Sequence, residues 1–176
     1  MALALAASGC GYNKIQDLDE RAQQAKQNIA TMLQRRADLI PNLVAAVKGY
    51  AQHERGTLDA VIKARNAAMA AQGPAAQANA ENALSGALRG LLALGEAYPD
   101  LKANINFQQL QTELADIENK IAAARRFFNN SVQEYNTGIQ QFPAALFAGS
   151  FGFTPQVFFD LGETRAQVEQ VPQVKF

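Results

Sequence analysis

One cysteine and one histidine occur in 176 residues. A disulfide within the chain is therefore impossible, and a Cys/His cage around a metal lacks ligands. No charge sign dominates, because 16 basic and 16 acidic side chains cancel. There is no basic stripe either, so the electrostatic footprint of a nucleic-acid binder is missing. Proline is sparse until the C-terminal region, and no apolar run reaches the roughly 20 residues that span a bilayer. The parts of a catalytic constellation are equally scarce. His53-Glu54 suggests acid–base chemistry, but there is no second histidine and no evident nucleophile with its own orienting base. A histidine near a helix C-terminus, favoured by the dipole, is the simpler reading. The expectation is a non-enzyme with no cofactor and no metal.

The residues that are abundant, Ala, Gln, Asn and Leu, favour helix over strand, and the length suits one domain with a real core. From Ile15 the apolar residues step by three and four through Leu18, Ala22, Ala25, Ile29, Met32, Arg36, Leu39, Leu43, Ala46 and Tyr50. This is a heptad seam with one polar interruption, Arg36. Leu33, Ile40, Val44 and Val47 widen it. Pro41 falls inside the seam, where a proline normally breaks or kinks a helix. Gly56 is the expected stop and Thr57 the expected cap of a second helix, whose face is Leu58, Val61, Ile62, Arg65 and Met69. Gly73-Pro74 breaks the chain. A third helix then carries Leu84, Leu88, Leu91 and Leu92 inward and stops at Tyr98-Pro99.

The fourth helix has the clearest pattern. Its seam runs through Phe107, Leu110, Leu114, Ile117, Ile121, Ala124, Phe128, Ser131, Tyr135, Gly138 and Phe142, with Val132 and Ile139 supporting two weak positions. The two long seams cover equal lengths, each about 54 Å at 1.5 Å per residue. The fold class expected is all-α: an antiparallel up-down-up-down four-helix bundle in which the two long outer helices form an extended stalk. The divisions expected are residues 1–9, 10–143 and 144–176.

Aligning the two seams places Arg36 opposite Ile121 and within a turn of Glu118. A seam arginine needs a carboxylate, since an unpaired buried charge is very costly. Arg35, Arg36, Asp38 and Glu118 thus form the charged set of interest, with Pro41, Asn42 and Asn119 beside it. Two readings stay open: an ion pair fixing register, or a polar pocket for a small anion or acidic peptide. Asn104 and Asn106 are expected to shape the start of the fourth helix, and Asn119 and Asn136 to bridge helices.

Both ends of the chain differ in texture from the middle. Met1 to Ala7 is small and apolar, and Ala7-Ser8-Gly9-Cys10 resembles a bacterial lipobox, whose cysteine is lipidated and becomes the first residue. Residues 1–9 then read as the remnant of a signal peptide. The alternative is that Cys10 is an incidental thiol. After Pro143 comes a stretch with Phe147, Phe151, Phe153, Phe158 and Phe159 among glycines. It serves either as cover for the bare stalk or as a contact with lipid or a neighbouring subunit. Residues 160–176 are mostly polar.

Several segments together resemble the LemA family of bacterial membrane-associated proteins. They are GYN at Gly11 to Asn13, RRADLIPNLV at Arg35 to Val44, VKGYAQHE at Val47 to Glu54, the long run from Ala97 to Pro143, FGF at Phe151 to Phe153, and the VPQVKF ending. The resemblance implies an all-helical bundle and a membrane-linked role. Many relatives carry a membrane-spanning N-terminal helix, where this sequence has the lipobox-like cysteine. The function expected is a membrane-anchored scaffold or adaptor of the bacterial cell envelope, a lipoprotein facing the periplasm. It would be held to the membrane by lipid on Cys10, would self-assemble as a homo-oligomer, and could meet other envelope proteins. The rival is a small-ligand or peptide receptor, or an enzyme, using a polar pocket around Arg36 and Glu118.

Overall fold

The computed structural model describes residues 2–159 of the protein. The Cys10 side chain and residues 160–176 lie outside what is described. Helices α1 (Ala2–Lys48), α2 (Arg55–Ala70), α3 (Pro74–Ala97), the one-turn α4 (Pro99–Lys102) and α5 (Ile105–Gln140) follow one another. Two short 3-10 turns, Ala144–Leu146 and Gly149–Phe151, and an extended segment complete the described chain. No strand occurs among the described residues. None of the described helices is long and apolar enough to cross a membrane.

Helices α1 and α5 are the long antiparallel pair. Leu18 meets Gly138, Arg36 meets Glu118 and Tyr50 meets Asn104. A Cβ added at Gly138 would stand 2.8 Å from Leu18 Cδ1, so the missing side chain lets the two helices approach closely there. Helices α2 and α3 pack on the distal half. Leu58, Val61, Ala68, Leu84, Leu88 and Leu91 join Ile40, Leu43, Val47, Phe107 and Leu114 in one buried cluster.

The buried stripe of α1 departs from the strict heptad seam in its upper half. Met32, Leu39 and Ala46 are half-buried, while their neighbours Leu33, Ile40 and Val47 are buried. A straight α-helix drifts by about 20° per heptad relative to a 3.5-residue repeat. Over several heptads the core-facing row therefore moves to the next residue. The same drift makes Val132 and Ile139 core residues on α5, while Phe142, expected in the seam, lies past the end of α5 at Gln140 and is 82 % exposed.

Other boundaries also differ from expectation. Helix α1 ends at Lys48 rather than near Gly56, because the chain turns at Gly49-Tyr50 and tucks Ala51 into the core at 1 % exposure. Thr57 lies inside α2, whose N-cap is Glu54 with no side-chain cap bond. On α2, Ile62 and Met69 are exposed and Ala68 is buried instead. Small residues on that face let α2 lie close to α3. The stop before Pro99 is as the sequence suggests, and α4 adds Leu101 as a fully buried plug. Asn104 caps α5, its Oδ1 accepting from the Phe107 N–H at 3.0 Å while its Nδ2 donates to the Tyr50 hydroxyl at 2.9 Å.

Below Arg36 only α1 and α5 run on, and the segment after α5 folds back to cover them. Ala144 and Ala148 are buried against Ile15, Tyr135 and Ile139, with Phe147 and Phe153 packed alongside. Phe159 closes the middle cluster of Ala22, Ala25, Ile29, Ile121, Ala124 and Phe128. The stalk is thus covered by the chain's own C-terminal segment.

Candidate functional site

At the junction of the distal and middle clusters sits Arg36, 2 % exposed. Its Nη2 forms an ion pair with Glu81 Oε2 of α3. Nη1 donates to Ser85 Oγ at 3.0 Å, and Nη2 also reaches the Glu81 carbonyl at 3.4 Å. Glu118 Oε1 of α5 stands 3.8 Å from Nη1 and its side chain is 45 % exposed. The expected partner is therefore the outer one, and Glu81, 4 % exposed, is the inner one. The reason is geometric. The helix facing Arg36 across the covered half is α3, and a carboxylate on its inward face reaches the guanidinium without leaving the core.

Arg125 of α5 completes this centre. Burial, and then the like charge of Arg36, pull its guanidinium below the ordinary arginine range, against an opposing pull from Glu81. The Arg125 guanidinium lies 4.8 Å from the centroid of the Phe159 ring, a cation–π contact. With two arginines and two glutamates, the centre is neutral. The Nε atoms of Arg36 and Arg125 have no hydrogen-bond partner. Of the other residues singled out from sequence, Arg35, Asp38, Pro41, Asn42 and Asn119 are exposed. Asp38 accepts a bond from Gln34 at 2.8 Å. Asn119 does not bridge helices.

Glu81 escaped sequence reasoning although a signal existed. It falls on the stripe Ala78, Glu81, Leu84, Leu88 and Leu91, a polar residue in an apolar row like Arg36 itself.

Pro41 has a partner at a distance. Proline has no N–H for the carbonyl four residues back, which here is Ala37 O. Arg65 Nε of α2 donates to that carbonyl at 2.7 Å. Helix α1 runs through the proline, and α2 supplies the missing donor.

Two asparagines of α5, seven residues apart, hold the C-terminal segment. Asn136 Nδ2 donates to Gln156 O at 2.9 Å, and Asn136 Oδ1 accepts from the Gln156 N–H at 2.8 Å. Asn129 Oδ1 accepts from the Phe159 N–H at 2.9 Å. Seven helical residues rise about 10.5 Å, and three extended residues span about 10 Å. The matching lengths let both asparagines grip one extended backbone. Gln156 Nε2 also donates to Asp19 of α1 at 2.5 Å. The Tyr135 hydroxyl, shifted up by burial and then by Asp19, lies under this segment. Among the five phenylalanines, Phe159 is buried, Phe147 and Phe153 are half-buried, and Phe151 and Phe158 are exposed. His53 is exposed in the turn between α1 and α2, while Glu54 accepts from the Tyr98 hydroxyl at 3.2 Å.

The chain is similar to known proteins over most of its length. The chain is 27 % identical to the magnetosome protein MamQ of Magnetospirillum gryphiswaldense, over 84 % of this chain and 64 % of that protein. It is 25 % identical to the magnetosome proteins MamQ 1 and MamQ 2 of Paramagnetospirillum magneticum, with the same coverage. The match thus spans less than two thirds of the length of these relatives. The model of the LemA family matches residues 25–176, from the lower part of α1 through both 3-10 turns and beyond, and the chain belongs to the LemA family.

Proposed function

We propose that the protein is a non-enzymatic scaffold or adaptor attached to a membrane of the bacterial cell envelope. The observation that carries this reading is the use made of Arg36. Its Nη atoms are committed to Glu81 and Ser85 of α3, with Glu118 of α5 at the edge. A guanidinium tied up in this way joins three helices and sets their register. Similarity to proteins named for the magnetosome supports a role in a cellular structure rather than in metabolism. Attachment through lipid on Cys10 rests on the run Ala7-Ser8-Gly9-Cys10. Self-assembly is not part of this proposal, because the segment to Phe159 covers the stalk surfaces that would have driven it.

The test is expression of the full chain in a bacterial host, followed by fractionation and mass spectrometry. The protein should sediment with membranes and carry acyl mass on Cys10. Cys10→Ala should remove the acyl mass. Proteins that co-purify from detergent-solubilised membranes should be the same for the wild type and for Arg36→Met combined with Glu81→Leu. Unmodified Cys10 in native protein contradicts the anchor. Loss of all partners from a well-folded double variant contradicts a purely structural role for the centre.

A further inference from the structure

The end of the bundle where α1 begins is surrounded by aromatic side chains. Gly11 packs under Phe147 and Pro143, where an added Cβ would lie 3.1 Å from Phe147 Cζ and 3.6 Å from Pro143 Cγ. Tyr12 meets the edge of Phe151 at 5.3 Å and tilts against Phe153 at 5.6 Å. Phe147 and Phe151 stand perpendicular at 6.0 Å. Around this ring Phe142, Leu146 and Phe151 are 82 %, 76 % and 63 % exposed. No charged side chain occurs between Glu134 and Asp160.

We infer that this aromatic end is a lipid-binding foot, which seats the base of the bundle in the interfacial layer of a bilayer. The inference rests on the membrane reading above and adds a second, non-covalent contact to it. Two observations select lipid as the occupant. An exposed apolar surface of this kind marks an interaction site, and the absence of charge from residues 135–159, which carry Phe142, Leu146 and Phe151, suits the acyl boundary better than a protein interface with a polar rim. The second is the place of Cys10 in the chain, next to Gly11, which packs under Phe147 and Pro143. Acylation at Cys10 would bring this end of the bundle to the lipid. A single acyl chain binds membranes only marginally, while several chains on one cysteine hold firmly; aromatic side chains at the same end would add a contact that orients the bundle on the bilayer.

The foot is tested with the full chain purified as Cys10→Ser, which cannot be acylated at that position, and vesicles of phosphatidylcholine alone. The protein should co-float with the vesicles, with little change on adding salt, because the exposed side chains of the foot, Phe142, Leu146 and Phe151, are uncharged. Phe142→Asp combined with Phe151→Asp should lower the vesicle-bound fraction about tenfold or more, with helix content by circular dichroism unchanged. Ile105→Asp and Phe127→Asp, at residues 69 % and 57 % exposed elsewhere on α5, should leave binding unchanged. Failure of the Cys10→Ser protein to float overturns the foot. So does a foot variant that floats like its parent, and so does a foot variant that changes oligomeric state by light scattering without changing flotation. The acyl mass on Cys10 is read separately. An unmodified Cys10 with intact flotation removes the anchor and leaves the foot, and an acylated Cys10 with no flotation of Cys10→Ser does the reverse.

Discussion

Replacing Glu81 with leucine removes the inner carboxylate of the charged centre and leaves two guanidiniums facing each other. Arg36 stays in place at 2 % exposure, beside Arg125, whose pKa its charge already depresses. Breaking one side of a buried pair costs about 3–5 kcal/mol, a large share of the roughly 5–15 kcal/mol that stabilises a domain. Glu81→Leu should reach or exceed the upper part of that range, because the remaining carboxylate, Glu118, is 3.8 Å away and half in solvent. Arg36→Met should cost slightly less, since Arg125 remains to face Glu81. The double variant should be much less destabilised than the sum, because two apolar side chains then replace two charges of similar volume. Glu118→Leu should cost only about 0–1 kcal/mol, as exposed pairs do. Urea melts followed by circular dichroism give these values from midpoints at constant slope. Simple additivity of Arg36→Met and Glu81→Leu, or a cost for Glu118→Leu equal to that for Glu81→Leu, would refute the reasoning.

Further outcomes follow from the same contacts. Arg65→Met should cost about 1–2 kcal/mol by orphaning the Ala37 carbonyl, and clearly less in a Pro41→Ala background, where residue 41 regains its own N–H; equal costs in both backgrounds count against this role for Arg65. Asn136→Ala removes two backbone bonds to Gln156, a loss of about 1–3 kcal/mol local to the C-terminal segment. Amide exchange and proteolysis should then rise at residues 152–159 while helix content holds, and unchanged protection there argues against the grip. Phe159→Ala should cost about 3–5 kcal/mol, whereas Phe142→Ala should stay within about 0.5 kcal/mol, and thermal melts that rank them the other way contradict the assigned burial.

Much of this architecture can be read from the spacing of apolar residues. The two long seams give α1 and α5, their antiparallel register to within a turn, and the need for a carboxylate at Arg36. Turn chemistry gives the break at Gly73-Pro74, the stop before Pro99 and the cap at Asn104. The remainder depends on what faces what. A heptad template cannot show that its own row will drift, so Leu33, Ile40 and Val47 replace Met32, Leu39 and Ala46 as the buried row. The face of α2 is misread because Ile62 and Met69 outweigh Ala68 in hydrophobicity, while close contact with α3 favours the smaller side chain. The symmetry of the two seams puts α5 opposite Arg36, whereas α3 brings Glu81 nearer. The roles of Arg65 and Asn136 depend on a carbonyl and a backbone segment, and neither has a sequence pattern.

The proposed foot would put one end of the bundle in lipid and the other in water. Nitroxide labels at Leu146, on the aromatic base, and at Ile105, at the start of α5, examine that orientation directly. Both positions are exposed, at 76 % and 69 %, so labelling should not disturb the core. On vesicle-bound protein the Leu146 label should be relaxed by oxygen dissolved in the bilayer and shielded from a water-soluble nickel complex. The Ile105 label should show the opposite. Equal access of the nickel complex to both labels, or shielding of Ile105 in place of Leu146, would contradict the account.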